Sequence, residues 1–187
     1  AKAAATQRRP VRFAATAPAP GGLLVIPAAG ADQAAARAAS LPPEQRAAIA
    51  RAATAAAFKY GARKTLVLRG VGAFDQIVLL GLGDKPAATD IQMAGAVAGR
   101  SLAGEDGAVT ILAPDMDASA LFELATGFGL GEYRSDLYSS DRSTKAPDPV
   151  TVVAEAADAA DALYKARGLP LVEAMEWARD LSNEPAN

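Results

Sequence analysis

The run Ile77-Val78-Leu79-Leu80 contains four apolar residues with no alternation between apolar and polar positions. A half-buried strand alternates, whereas a strand that is covered on both faces is apolar throughout, as in parallel sheets flanked by helices. Ala108 to Leu112 has a similar character. Because longer amphipathic segments separate these short runs, the sequence predicts alternating strands and helices, and therefore a layered α/β fold.

The expected elements alternate along the whole chain. Strands are expected at Val11 to Ala15, Leu23 to Ile26, Thr65 to Leu68, Gln76 to Leu80, Ala108 to Leu112 and Pro149 to Val153. Helices are expected from Leu41-Pro42-Pro43-Glu44 through Phe58, at Thr89 to Leu102 and at Asp117 to Leu130, then over Glu155 to Lys165 and from Leu169 onwards. Thr89 and Asp117 are predicted to be helix N-caps, because both residue types accept hydrogen bonds from the first free backbone amides.

These elements predict a three-layer α/β domain, with a mostly parallel sheet, a mixed edge and helices on both faces. Gly70-Val71-Gly72 between two strands suits a hairpin or a tight link. We expect residues 1–155 to form the domain and residues 156–187 to form a helical linker.

The chain contains no cysteine and no histidine among its 187 residues. This excludes disulfides, zinc sites of the Cys or His type, a cysteine nucleophile and a Ser-His-Asp triad. The formal net charge of −2 at pH 7 gives no general attraction to nucleic acid or to an anionic membrane. About half of the apolar residues are alanine, which favours helices but buries little area per residue.

Two glycine-rich segments were candidates for phosphate binding. Gly81-x-Gly83 follows a strand, as in a dinucleotide fingerprint, but Pro86 stands where that fingerprint needs Gly or Ala. Gly127-Phe-Gly129-Leu-Gly131 follows a helix, so we interpret it as close backbone packing, as a mobile loop or as a run of helix-ending glycines. Neither segment predicts a cofactor site.

The acidic residues do not form a metal-site pattern. We expect one of Asp115 and Asp117 to cap a helix and the other to be solvated. Glu105-Asp106 suits a turn, and Asp158 and Asp161 lie one helical turn apart without further ligands. A hard metal needs several converging oxygens, so we predict no metal ligand and no catalytic residue in this chain.

Three further segments are interpreted as structural rather than functional. Arg8, Arg9 and Arg12 suggest a solvated basic arm, and Ser139 to Lys145 suggests an exposed polar loop in which no Ser-Lys pair is positioned. The apolar stretch from Phe13 to Ala31 is broken by prolines and by Gly21-Gly22. It is therefore interpreted as two strands joined by a turn rather than as a signal or membrane segment.

Three stretches of the chain resemble the leucyl aminopeptidase (cytosol aminopeptidase) family. These are Leu79 to Lys85 at a strand end, Gly129 to Tyr138 with its Tyr133-Arg134 and Asp136, and Ala178-Arg-Asp-Leu-Ser-Asn-Glu-Pro-Ala-Asn187. The last stretch is the most specific, and in the family it lies where a helical linker enters the catalytic domain. The resemblance implies an N-terminal domain plus linker, with the catalytic domain absent.

The resemblance also implies the properties of a parent enzyme. That enzyme is a cytoplasmic homohexamer that releases N-terminal residues such as Leu from peptides, using two divalent metals, Mn or Zn. The metal ligands lie in Gly-Lys-Gly and Asn-Thr-Asp-Ala-Glu-Gly-Arg motifs, and neither motif occurs here. No catalytic, cofactor-binding or metal residue is therefore carried over to this chain, which is expected to be inactive alone and to pack on its own catalytic domain.

Two alternatives remain open from the sequence. The expected domain resembles the macro-type fold, so a stand-alone module for ADP-ribose or another nucleotide is one of them. A DNA-binding accessory domain is the other, although the net charge argues against it. If the chain is instead the N-terminal part of an aminopeptidase, the apolar side of Leu171 to Leu181 in the linker is expected to be exposed when no partner domain covers it.

Overall fold

The computed structural model describes residues 8–133 and 147–183, in which strands and helices alternate. The strands are β1 (Val11–Ala14), β2 (Leu23–Ala28), β3 (Thr65–Val71), β4 (Phe74–Gly81), β5 (Val109–Leu112) and β6 (Val150–Val153). The helices are α1 (Ala31–Arg37), α2 (Pro43–Ala55), α3 (Ala88–Leu102), α4 (Ala118–Glu132), α5 (Ala157–Leu163) and α6 (Leu169–Asn183). A π-helical turn, Tyr164–Gly168, joins α5 to α6 without a break.

The six strands form one sheet in the order β1-β6-β5-β2-β4-β3. Every neighbouring pair is parallel except β3 and β4, which form an antiparallel hairpin. Val71 pairs with Phe74, so Gly72 and Ala73 make the loop, and Gly72 has a φ of 62°. Left-handed residues of this kind are typical of two-residue hairpin loops. The mostly parallel sheet with a mixed edge is therefore confirmed.

The apolar runs of the sequence correspond to the strands inside the sheet. Strands β2 and β5 are buried along their whole length, and β4 is buried except at Asp75. The edge strands β1 and β3 contain partly or fully exposed residues throughout. The absence of alternation in Ile77 to Leu80 follows from this position, because helices cover both faces of β4.

Helices cover the two faces of the sheet and form two separate apolar layers. On one face, Leu102 of α3, Phe128 of α4 and Ala160 of α5 pack in a cluster with residues of the central strands. On the other face, Ala34 of α1 and Ile49 of α2 pack with different residues of the same strands. The predicted three-layer α/β architecture is confirmed.

Helices α3 and α4 touch backbone to backbone through glycines. A Cβ atom added to Gly95 or Gly99 would overlap the main chain of α4, and one added to Gly127 or Gly131 would overlap the main chain of α3. The glycine run from Gly127 to Gly131 lies inside α4, which ends at Glu132. The interpretations of these glycines as a mobile loop or as helix-ending residues are wrong, and close backbone packing is confirmed.

The helix starts correct one prediction and confirm another. Helix α3 begins at Ala88, and the carboxylate of Asp90 accepts a hydrogen bond of 3.0 Å from the Ala87 N–H, so Thr89 is not the N-cap. An acidic side chain at the third helical position commonly accepts a hydrogen bond from the backbone N–H of the residue that precedes the helix. Asp117 caps α4 as predicted, because its side chain accepts a hydrogen bond of 2.8 Å from the Ala120 N–H.

The substitution Gly127→Ala tests the glycine contact. Alanine usually stabilises a helix relative to glycine, but here its methyl group would overlap the Gln92 carbonyl. We expect the free energy of unfolding to fall by about 1–3 kcal/mol, as in overpacked cores. Urea denaturation measures the change.

Gly61→Ala is the matched control, because an added Cβ there meets only the Lys64 side chain at 3.6 Å. It should change the free energy of unfolding by less than about 0.5 kcal/mol. A Gly127→Ala protein that is as stable as the unmodified chain would contradict the packing argument.

Candidate functional site

Helix α6 is anchored to the end of α4 through one of its sides. Val172 is fully buried against α4. The Arg179 guanidinium donates a hydrogen bond of 2.8 Å to the Leu130 carbonyl and lies 5.2 Å from the centre of the Tyr133 ring. The Tyr133 hydroxyl and Asp180 Oδ1 are 2.7 Å apart. Apolar burial, a cation-π contact and hydrogen bonds together fix the orientation of the helix.

The opposite side of α6 is apolar and exposed. Its large side chains have exposed fractions of 44% for Leu171, 40% for Met175, 67% for Trp177 and 47% for Leu181. Ala174 and Ala178 lie between them and are also exposed. At 100° per residue these six positions fall within an arc of about 160°. The expected exposure of the apolar side of this helix is confirmed, and we call these six residues the outer face of α6.

Arg8 ties the N-terminal segment to α6. Its Nε lies 3.0 Å from Glu176 Oε1, and its Nη2 lies 3.8 Å from Glu173 Oε1. Both Arg8 and Glu176 are largely buried, with side-chain exposures of 14% and 11%. Burial raises the pKa of Glu176 above its usual value, although Arg8 opposes this shift. The contact helps to hold α6 against the domain.

Arg9 forms a second and more deeply buried ion pair, with Glu132 at the end of α4. The same guanidinium donates hydrogen bonds to the carbonyl oxygens of Leu102, Glu105 and Gly107, and so joins the end of α3 to the loop before β5. Burial raises the pKa of Glu132 despite the neighbouring cation. The interaction clamps three segments that are remote in sequence.

These contacts correct the interpretation of Arg8, Arg9 and Arg12 as a solvated arm. Only Arg12 is exposed. Strand β1 runs along the sheet edge beside β6, and the residues just before it are thereby brought against α4 and α6. Arg9 and Glu132 are 123 positions apart, so no local pattern in the sequence signals their pairing.

Two of the acidic residues considered as metal ligands, Asp115 and Asp161, form separate ion pairs. Asp115, which was one of the two candidates for a solvated position, accepts hydrogen bonds of 2.5 and 3.0 Å from the buried guanidinium of Arg37. The hydrogen bond from Arg37 is the main reason that the pKa of Asp115 lies below its usual value. Asp161 pairs with Lys165 at 2.6 Å. Asp115 is thus the solvated member of the Asp115 and Asp117 pair, with 51% of its side chain exposed, but it is also held by Arg37, which the sequence did not predict.

Within residues 8–133 and 147–183, no three carboxylate, Cys or His side chains come together as a metal site would require. The polar segment from Ser139 to Lys145 lies outside the described residues. The absence of catalytic, cofactor and metal residues in this chain stays a prediction. Among the helices that the structure describes, none is both long and apolar enough to cross a membrane.

The turn after β4 does not present a phosphate cradle. The Leu82 N–H donates to the Ala28 carbonyl at 2.9 Å, and the Gly83 N–H donates to the Tyr60 carbonyl at 3.0 Å. Pro86 has no N–H to offer. Anion cradles of this kind depend on free backbone amides, and these two amides are already used within the protein.

Residues 25–142 match the profile of the cytosol aminopeptidase family, N-terminal domain. The chain belongs to the cytosol aminopeptidase family. Among curated proteins, it is 33% identical over 150 residues to a probable cytosol aminopeptidase of Allorhizobium ampelinum, covering 74% of this chain and 30% of that protein. It is 31% identical over 122 residues to the probable cytosol aminopeptidase of Geobacter sulfurreducens, covering 60% of this chain and 25% of that protein.

Two solved structures share the fold. A variant of tomato leucine aminopeptidase superposes with a TM-score of 0.69 at 18% identity, covering 98% of this chain and 40% of that one. The bottromycin maturation enzyme BotP gives a TM-score of 0.58 at 21% identity, covering 89% of this chain and 33% of that one. The chain therefore spans well under half of the length of its cytosol aminopeptidase relatives.

The family match includes two of the three stretches on which the resemblance was based. Leu79 to Lys85 lies inside the matched residues, and so does Gly129 to Tyr138. Ala178 to Asn187 lies beyond them, although α6 carries its first residues and is part of the fold shared with the tomato enzyme. The outer face of α6 thus overlaps the start of the most specific motif, because Ala178 and Leu181 belong to both.

The substitution Arg9→Met tests the buried clamp of the cytosol aminopeptidase domain. It leaves the Glu132 carboxylate buried without its cation, and we expect a loss of about 3–5 kcal/mol in the free energy of unfolding near pH 8. The pKa of Glu132 is raised in the folded state, so deprotonation of Glu132 favours the unfolded chain. The free energy of unfolding therefore falls as the pH rises from the ordinary pKa of Glu through the raised pKa of the folded state. Removing Arg9 enlarges this effect, so the loss should be smaller at pH 5.

Denaturant titrations at pH 5 and pH 8 measure the difference. Arg69→Met is the control, because Arg69 pairs with Glu105 at 3.1 Å on the surface and such pairs contribute about 0–1 kcal/mol. A loss in Arg9→Met that does not depend on pH would contradict the role given to Glu132.

Proposed function

We propose that this chain is the N-terminal, non-catalytic part of a leucyl aminopeptidase. In this proposal residues 1–155 form the accessory domain, and residues 156–187 form the linker and the start of the catalytic domain. The chain then acts by packing on its own catalytic domain and by helping to build the homohexamer. Family membership and the short span relative to aminopeptidase relatives support this assignment.

The observation that carries the proposal is the two-sided nature of α6. One side is fixed to the domain by Val172, Arg179 and the Arg8 contact, whereas the outer face exposes four large apolar side chains. Contiguous exposed apolar surface of this kind marks an interaction site in soluble proteins. A catalytic domain that follows α6 in the chain is the nearest partner for this face.

The chemistry belongs, in this proposal, to the catalytic domain. Two divalent metals, Mn or Zn, would activate a water molecule and polarise the scissile carbonyl of a peptide, releasing N-terminal residues such as Leu in the cytoplasm. BotP, one of the structural neighbours, is described in complex with Mn. The described residues of this chain do not fit such a site, because their carboxylates are dispersed and several are paired with Arg or Lys.

An activity assay tests the non-catalytic role. The 187-residue chain is incubated with leucine p-nitroanilide and manganese, beside a full-length cytosol aminopeptidase as the positive control. We expect no release of p-nitroaniline above the rate without protein, because the chain lacks a cluster of metal ligands in its described residues. Turnover by the chain alone would overturn the proposal.

The substitution Met175→Glu tests the outer face of α6. We expect the isolated chain to self-associate through this face, and a charge placed there should lower the association constant by about tenfold or more. Sedimentation velocity over a range of concentrations measures it. Met93→Glu is the matched control, because Met93 on α3 is 47% exposed while Met175 is 40% exposed.

Equal association by the two variants would contradict the proposed role of the face. The same conclusion would follow if the unmodified chain were a monomer with strongly protected amides along α6, because a helix whose outer face lacks its partner surface should exchange its amides rapidly.

A further inference from the structure

An open groove lies between α1 and α2, on the opposite side of the sheet from α3 and α4. Its volume is about 600 Å³, which is within the range of small-molecule sites. Eight of its fourteen lining residues are alanine, and the floor includes Ile49 and Tyr60. The short side chains keep the two helices from filling the space between them, so the groove is a consequence of the alanine-rich sequence.

The charged residues that line the groove are both cations. They are Arg46 of α2 and Lys59, which follows α2, and no carboxylate is part of the lining. Neither cation forms an ion pair with the residues that the structure describes. Since the whole chain carries a net charge of −2, this positive character is local to the groove.

Tyr60 is the buried polar residue of the lining. It is 4% exposed, and its hydroxyl forms no hydrogen bond with any described residue. Burial raises its pKa above the ordinary value, so the hydroxyl stays protonated at neutral pH. The residue also has a φ of 53°, and such strained backbone is concentrated at ligand sites. The Tyr60 ring is buried, and its hydroxyl lies at the groove and can donate a hydrogen bond to a ligand.

The lining favours an aliphatic tail over a peptide. A peptide brings amide groups that must be hydrogen-bonded when they are buried. The Thr54 hydroxyl already donates to the Ala50 carbonyl at 3.0 Å, and the alanine side chains offer no partner. A hydrocarbon chain needs none, and its anionic end can pair with Lys59 and accept from Tyr60.

We propose that the groove between α1 and α2 binds an aliphatic carboxylate, with the carboxylate at Lys59 and Tyr60 and the alkyl chain along the alanines. This ligand site is separate from the outer face of α6 and does not depend on the aminopeptidase assignment.

Isothermal titration calorimetry of the 187-residue chain with decanoate tests the proposal. Decanoate should bind, whereas decyltrimethylammonium, which has the same chain length and the opposite charge, should bind at least about tenfold more weakly. Tyr60→Phe keeps the buried ring and removes an unpartnered hydroxyl, so it should fold normally and weaken decanoate binding about tenfold. Lys59→Gln should also weaken binding, and Arg51→Gln, an exposed position of α2 outside the lining, should not.

The apolar part has its own pair of variants. Ala50→Leu fills the groove and should weaken decanoate binding at least about tenfold, while Ala55→Leu on the exposed side of α2 should leave it unchanged. The proposal is overturned by any of three results. These are no heat of binding with decanoate, equal affinity for the cationic probe, or equal affinity in the Ala50→Leu and Ala55→Leu proteins.

Discussion

Helices α3 and α4 lie so close together that their main chains are in contact, and the rest of the structure depends on this contact. Glycines on both helices make it possible, because any side chain at those positions would overlap the facing backbone. The paired helices, together with α5, then cover one face of the parallel sheet, including the central strands that are buried along their length. Parallel sheets need such cover on both faces, so the glycines support the sheet as well as the helix pair.

The far end of α4 extends this dependence to α6. Glu132, Tyr133 and Leu130 receive the contacts of Arg9 and Arg179, so the N-terminal segment and α6 both attach where α4 ends. The ion pair of Arg9 is costly to desolvate, yet its geometry leaves few polar atoms unpaired. It therefore gives the segment before β1 a defined position, which burial of apolar groups alone would not specify.

The sequence was sufficient for the fold class because burial of the central strands has a strong signature. Unbroken apolar runs such as Ile77 to Leu80 require cover on both faces, and the amphipathic segments supply it. The N-cap at Asp117 was also predictable from residue type. The N-cap predicted at Thr89 was wrong, because α3 already begins at Ala88 and the Asp90 carboxylate accepts a hydrogen bond from the Ala87 N–H. Helix α1, with seven residues, was too short to give a periodic signal.

The buried ion pairs could not be predicted in the same way. Arg9 with Glu132 and Arg37 with Asp115 join residues that are 123 and 78 positions apart, and each residue alone resembles an ordinary surface charge. The outer face of α6 was predictable as an apolar stripe, because helical spacing is local. Whether this stripe is exposed depends on whether another domain covers it. Only the resemblance to leucyl aminopeptidases suggested, before the fold was known, that the stripe would be uncovered.

The π-helical turn at Tyr164–Gly168 sets the rotational phase of α6. A π turn contains one residue more than an α-helical turn of the same height, so it rotates everything after it by about 100° relative to α5. Without that extra residue, the apolar stripe would turn from solvent toward another side of the helix, and Val172 would leave its place on α4. The direction that the outer face of α6 points is thus set by one extra residue in the turn that precedes every side chain of that face.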